Sequence, residues 1–110
     1  MATILNQFKT VTAVLTTSNQ NLYTPATGYT GIILMAQIAN ITSSASTANV
    51  SYYDGTSYTS LIQGFSIPGN DSTTATTGKL VIPYGKSLWA QAGAANTMHI
   101  TLSILETFNG

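Results

Sequence analysis

Met98-His99-Ile100-Thr101-Leu102-Ser103-Ile104-Leu105-Glu106 is the stretch that decides the fold. Met98, Ile100, Leu102 and Ile104 fall on one side of an extended chain; His99, Thr101, Ser103 and Leu105 fall on the other. Successive side chains of a strand point to opposite faces, so this alternation predicts a half-buried β-strand. Working outward, Val11, Ala13 and Leu15 alternate with Thr10, Thr12, Val14 and Thr16. Ile32, Leu34, Ala36 and Ile38 alternate with Ile33, Met35, Gln37 and Ala39. That segment is apolar on both faces, which predicts a central strand whose second face is covered by the opposite sheet or by a partner.

Further strands are predicted over 47–53, 58–67, 79–83 and 87–92, with short pieces near 21–24 and 72–77. All are rich in β-branched or aromatic residues. Turn signals separate them: Asp54-Gly55, Pro68-Gly69-Asn70-Asp71, Pro83-Tyr84-Gly85-Lys86 and Gly93. Asp-Gly tolerates positive φ and marks a hairpin, while Pro ends a ladder because it lacks an N–H. No helical periodicity is sustained, although residues 2–9 could close one helical turn. About eight short strands with turns every 8–12 residues predict an all-β fold, a single antiparallel β-sandwich. Jelly-roll and immunoglobulin-like strand orders both fit. Residues 1–110 are expected to form one domain with short extended N- and C-terminal segments. Its expected core is Ile32, Leu34, Ile38, Leu80, Ile82, Leu88, Ile100, Leu102 and Ile104.

The polar side of the composition is unusual. Three basic residues (Lys9, Lys79, Lys86) and three acidic ones (Asp54, Asp71, Glu106) occur in 110 residues, and the formal net charge is zero. A soluble domain is ordinarily about a quarter charged, and charge keeps proteins apart. Thr, Ser, Asn and Gln take its place, as suits a chain built to be covered by other protein. Nucleic-acid affinity draws on Lys and Arg against phosphate; with three Lys and no Arg, neither nucleic acid nor an anionic membrane surface is an expected partner. The chain has no Cys, which excludes disulfides and thiolate metal sites. No basic-then-apolar leader is evident at the start, so synthesis in a cytoplasm without export by the usual route is expected.

Residues that could carry chemistry are sparse. His99 is the only histidine and sits on the polar face of its strand. Asp54 and Asp71 open turns, where a hydrogen bond from the nearby backbone accounts for them. Glu106 ends the last strand. Such a set predicts no enzyme, no cofactor and no metal site. Asn40, Asn49 and Asn70 stand in glycosylation sequons, expected by chance in so Asn/Ser/Thr-rich a chain. The aromatic hairpin Tyr52-Tyr53-Asp54-Gly55-Thr56-Ser57-Tyr58, with Tyr84 and Trp89, is read either as cross-strand packing or as a sugar- or partner-binding tip. Packing is favoured for Tyr52 and Trp89, whereas Tyr53 and Tyr58 stay open.

Several segments in order resemble small virion structural proteins of tailed bacteriophages, particularly those of cyanophages and other marine phages. They are Leu22-Tyr23-Thr24-Pro25, Thr30-Gly31-Ile32-Ile33-Leu34, Ala39-Asn40-Ile41-Thr42, Ile67-Pro68, Gly78-Lys79-Leu80-Val81-Ile82, Ser87-Leu88-Trp89-Ala90-Gln91-Ala92 and Ser103-Ile104-Leu105-Glu106. The resemblance implies a non-enzymatic β-sandwich building block of the virion, a homo-oligomer contacting capsid or tail proteins. A capsid decoration (cement) protein is the favoured role. A neck, tail or baseplate component, such as a fibre-attachment module, is the alternative within that class. A carbohydrate-binding module using Tyr53, Tyr58 and Tyr84 is the alternative outside it. The expected partner contacts are Ile4, Leu5, Phe8, Ile33, Met35, Tyr53, Tyr58, Leu105 and Phe108, where large apolar or aromatic groups stand in place of polar ones.

Overall fold

The computed structural model describes residues 6–76 and 78–108. Nine strands follow in order: β1 (Asn6–Val14), β2 (Gln20–Tyr23), β3 (Tyr29–Asn40), β4 (Ser46–Tyr53), β5 (Tyr58–Ile67), β6 (Ser72–Thr74), β7 (Leu80–Ile82), β8 (Ser87–Ala92) and β9 (Met98–Phe108). No helix occurs among the described residues. Residues 6–9 continue β1 as a strand, which corrects the helical turn expected there; residues 2–5 lie outside the described part.

The chain pairs as a long hairpin rolled on itself. β4 pairs with β5 at the tip, β3 with β6 and β7, β2 with β8, and β1 with β9, all antiparallel. Rolling then brings β9 beside β3 and β8 beside β4. One sheet runs β1-β9-β3-β6 with β7 also on β3, and the other runs β2-β8-β4-β5. This strand order is that of a jelly roll, with one strand divided into β6 and β7. The immunoglobulin-like alternative is thereby set aside.

The core between the sheets follows the alternation read from β9. Met98, Ile100, Leu102 and Ile104 are buried, with Ile38, Ile82 and Leu88 from the expected set. Leu80 is partly buried and packs against them. Ile32 and Leu34 depart from expectation: both are only half-buried. In their place Ile33 is fully buried. The cause is a bulge in β3. Ile33 stands opposite Ile104, yet Met35 stands opposite Ser103, so two steps on β3 match one on β9. An extra residue swaps the faces of everything before it. After the bulge Ala36, Ile38 and Asn40 point inward, as the alternation expects.

Candidate functional site

Directly opposed residues in a sheet share a face, so the register identifies what each outer surface presents. On the first sheet, Phe8 opposes Leu105, Leu105 opposes Ile32, and Ile32 opposes Val81. These four form one apolar row across β1, β9, β3 and β7. Phe8 is 79% exposed and Val81 53%; Leu105 and Ile32 are half-buried. Met35 extends the row on the same face, opposite Ser103. The remaining pairs on this face include Thr10 with Ser103, Thr12 with Thr101, and Gln37 with Thr101 and Thr74. The face therefore carries hydroxyls, amides and an apolar row, with no Lys, Asp or Glu in these pairs.

Of the expected partner contacts, Phe8, Met35 and Leu105 share this surface. Ile33 does not: it is fully buried against the core, because the bulge turns it inward. Phe108 is half-buried and packs edge-on against Tyr29, with ring centroids 5.1 Å apart. Ile4 and Leu5 lie outside the described residues.

Tyr53 and Tyr58 belong to the second sheet. They are opposed across the β4–β5 hairpin, with centroids 4.5 Å apart. Trp89 on β8 meets both edge-on, at 6.2 and 5.7 Å. Its indole N–H donates to Ser87 Oγ at 2.7 Å. Trp89 and Tyr53 are half-buried, and Tyr58 is 49% exposed. Tyr52 takes the opposite side and packs against the core. Tyr84 stands exposed in the turn before β8.

The hairpin turn is set by Asp54. Its Oδ1 accepts the backbone N–H groups of Thr56 and Ser57 at 2.9 and 2.8 Å. Those bonds, Ser57 first, hold its carboxyl below the usual range. Gly55 in the same turn has φ +96°, which a side chain would resist.

Sequence reasoning missed one cluster, built on Glu106. This carboxylate is buried between the sheets. It accepts the Tyr23 hydroxyl at 2.6 Å from β2 and the Gln7 side-chain amide at 2.6 Å from β1. Lys9 Nζ lies 3.7 Å away and 5.8 Å from the Tyr23 ring centroid. Space for the Tyr23 ring comes from Gly31, where an added Cβ would clash with it. Burial acts to raise the Glu106 pKa, but the bonds from Tyr23 and Gln7 and the Lys9 charge outweigh it, leaving the pKa lowered. Burial first, then the Glu106 bond and charge, push the Tyr23 phenol far above its ordinary value. The proton thus stays on Tyr23 and the charge on Glu106. The cluster ties the two sheets together and offers no transferable proton near neutral pH.

His99 is exposed on the outer face of β9, between Val14 and Ala39. A shallow concavity of about 490 Å³ is bordered by Thr12, Ala13, Val14, His99, Ile100 and Thr101, with no carboxylate among them. Among the described residues no three His, Asp or Glu side chains converge as metal ligands would. No acid–base–nucleophile set stands around His99.

The sequence matches no protein-family model and no curated protein. Solved structures share the fold, the following two among them. One belongs to the acid-stable capsid of Helicobacter pylori bacteriophage KHP30. It matches with a TM-score of 0.59 at 13% identity, over 97% of this chain and 90% of that one. The other comes from Bacillus endospore appendages, described as a novel family of disulfide-linked pili. It matches with a TM-score of 0.58 at 7% identity, over 96% of this chain and 88% of that one. At these identities the likeness is one of fold.

Proposed function

We propose that this chain is a non-enzymatic structural protein of a tailed-phage virion, and that it decorates the capsid as a cement protein. The observation that carries the reading is the outer face of the first sheet. It presents the row Phe8–Leu105–Ile32–Val81 amid hydroxyls and amides, with no Lys, Asp or Glu in the pairs around it to repel a neighbour. Burying that row against capsid protein drives association, and the surrounding Thr, Ser and Gln groups satisfy the rim by hydrogen bonds. The whole-chain likeness to a phage capsid structure supports the choice of assembly. The neighbour from endospore appendages is described as disulfide-linked; this chain has no Cys, so linkage of that kind is not open to it.

The test is co-expression with the products of the genes beside its own, followed by sedimentation and electron microscopy. The chain should travel with capsid particles and stay bound in molar salt, because screening weakens charge contacts and leaves apolar burial intact. Phe8→Ser, still folded, should reduce the bound fraction. Association with tail or baseplate assemblies instead would replace the cement role by the other virion role. Recovery only as a free, unassembled protein would reject both.

A further inference from the structure

The geometry points to a second binding surface on the opposite side of the sandwich, a platform for a neutral polysaccharide formed by Tyr53, Tyr58 and Trp89. The three rings cluster on the outer face of the second sheet, with centroids 4.5 to 6.2 Å apart. Tyr58 stands half in solvent and the other two are partly covered. The Trp89 N–H is already bonded to Ser87, so the ring offers its apolar surface, while Tyr58, half in solvent, fits a ligand that is itself half apolar and half polar. A pyranose has that character: its C–H face stacks on a ring and its hydroxyls point outward to side-chain partners.

Those partners stand beside the rings. Ser51 opposes both Trp89 and Ser60, and Gln91 follows Trp89 by two positions on the same face. Ser60 Oγ already donates to Gln63 and Gln91 Nε2 to the Thr17 carbonyl, so these two chiefly offer acceptor oxygens to sugar hydroxyls, and Ser51 can both donate and accept. The shape also selects the ligand. Enclosed sites suit small molecules, but the surface concavities at Thr12–Thr101 and at Leu61–Leu80 do not include these rings. Rings standing on a sheet face, with Tyr58 half in solvent, suit an extended polymer. Charge narrows the class further. Asp54 and Lys86 are the charges at the hairpin rim and offset one another. An anionic glycan or a single-stranded nucleic acid needs a cationic track, which the face lacks.

Trp89 is the only tryptophan of the chain, so its fluorescence reports this site alone. The experiment titrates the full chain with dextran, hydroxyethylcellulose and galactomannan, with heparin and alginate as charged comparisons, at low and molar salt. At least one neutral polymer should shift the emission and slow the protein in a gel cast with it, equally at both salt levels. Tyr58→Ala, checked for fold by circular dichroism, should bind about tenfold more weakly, the scale of losing one stacking ring. Tyr52→Phe, on the opposite side of β4, should bind as the parent does. The inference is overturned if no neutral polymer shifts the emission, or if only heparin or alginate binds. It is also overturned if folded Tyr58→Ala binds as tightly as the parent, or if that variant loses self-association instead of polysaccharide, which would make the patch a protein interface.

Discussion

Replacing Glu106 by Gln tests whether a buried charge ties the sheets together. The side chain keeps its size and Tyr23 keeps an oxygen as acceptor; the new amide NH2 faces Gln7, whose own amide turns over to accept from it, so what is lost is the charge on two short hydrogen bonds. A hydrogen bond to a charged group contributes about 1.5–3 kcal/mol and a neutral one about 0.5–1.5. The difference is about 1 kcal/mol per bond, or about 2 kcal/mol for the bonds from Tyr23 and Gln7 together. Lys9 adds little, because its side chain is 49% exposed and can return to water. A domain of this size should then melt about 8 °C lower. Tyr23→Phe removes one of the two bonds and should cost about 1.5–3 kcal/mol. The two changes share a contact, so the double variant should lose less than the sum.

The same pair of proteins carries a pH signature. The folded-state pKa of Glu106 is depressed, so its stabilisation is complete above the unfolded value of about 4.3 and fades as pH falls through the folded value. Urea denaturation of parent and Glu106→Gln from pH 7 down to acid should show the gap constant above about pH 5 and closing below about pH 4. Asp54, depressed by its turn hydrogen bonds, acts with the same sign in both proteins and cancels in the difference. A gap under about 0.5 kcal/mol at neutral pH, the range of ordinary surface changes, would refute the tie. So would a gap that persists unchanged in acid.

Three further outcomes follow from the packing. Leu102→Ala should cost about 2–5 kcal/mol in urea denaturation, the range for deleting a buried leucine side chain. Ile33→Ala should cost a similar amount, and Ile32→Ala clearly less; equal losses would contradict the bulge. His99→Gln should leave both melting and assembly within about 0.5 kcal/mol of the parent, since the ring is exposed and no carboxylate borders its concavity.

Much of the fold was legible because period-2 patterning reports which face is dry. β9 reads correctly from Met98 to Ile104 by that rule alone, and the turns at Asp54-Gly55 and Pro83–Lys86 fall where they were expected. Continuing the same count from Ile104 puts Glu106 on the buried face, and counting back from Val11 puts Gln7 and Lys9 there too. The signal for the cluster was therefore present. It was masked by the habit of placing polar residues outside, which fails when a carboxylate finds enough donors. The strand order was not legible, because alternation fixes faces and leaves pairing partners open. Tyr23 shows why: its role depends on an acceptor 83 positions away on the other sheet.

The bulge in β3 was illegible for a different reason, and it links core to surface. A doubly apolar segment carries no polar marker to show which parity faces inward, so Ile32 and Ile33 are interchangeable by hydropathy. Register decides between them. Ile33 opposes Ile104 and fills the core, and this puts Ile32 outside, opposite Leu105 and Val81. An unbulged β3 would keep Ile32 on the side of Ala36 and Ile38. The row from Phe8 to Val81 would then be broken in the middle. One inserted residue therefore fills the interior and, by the same slip, completes the apolar surface on which the proposed capsid contact rests.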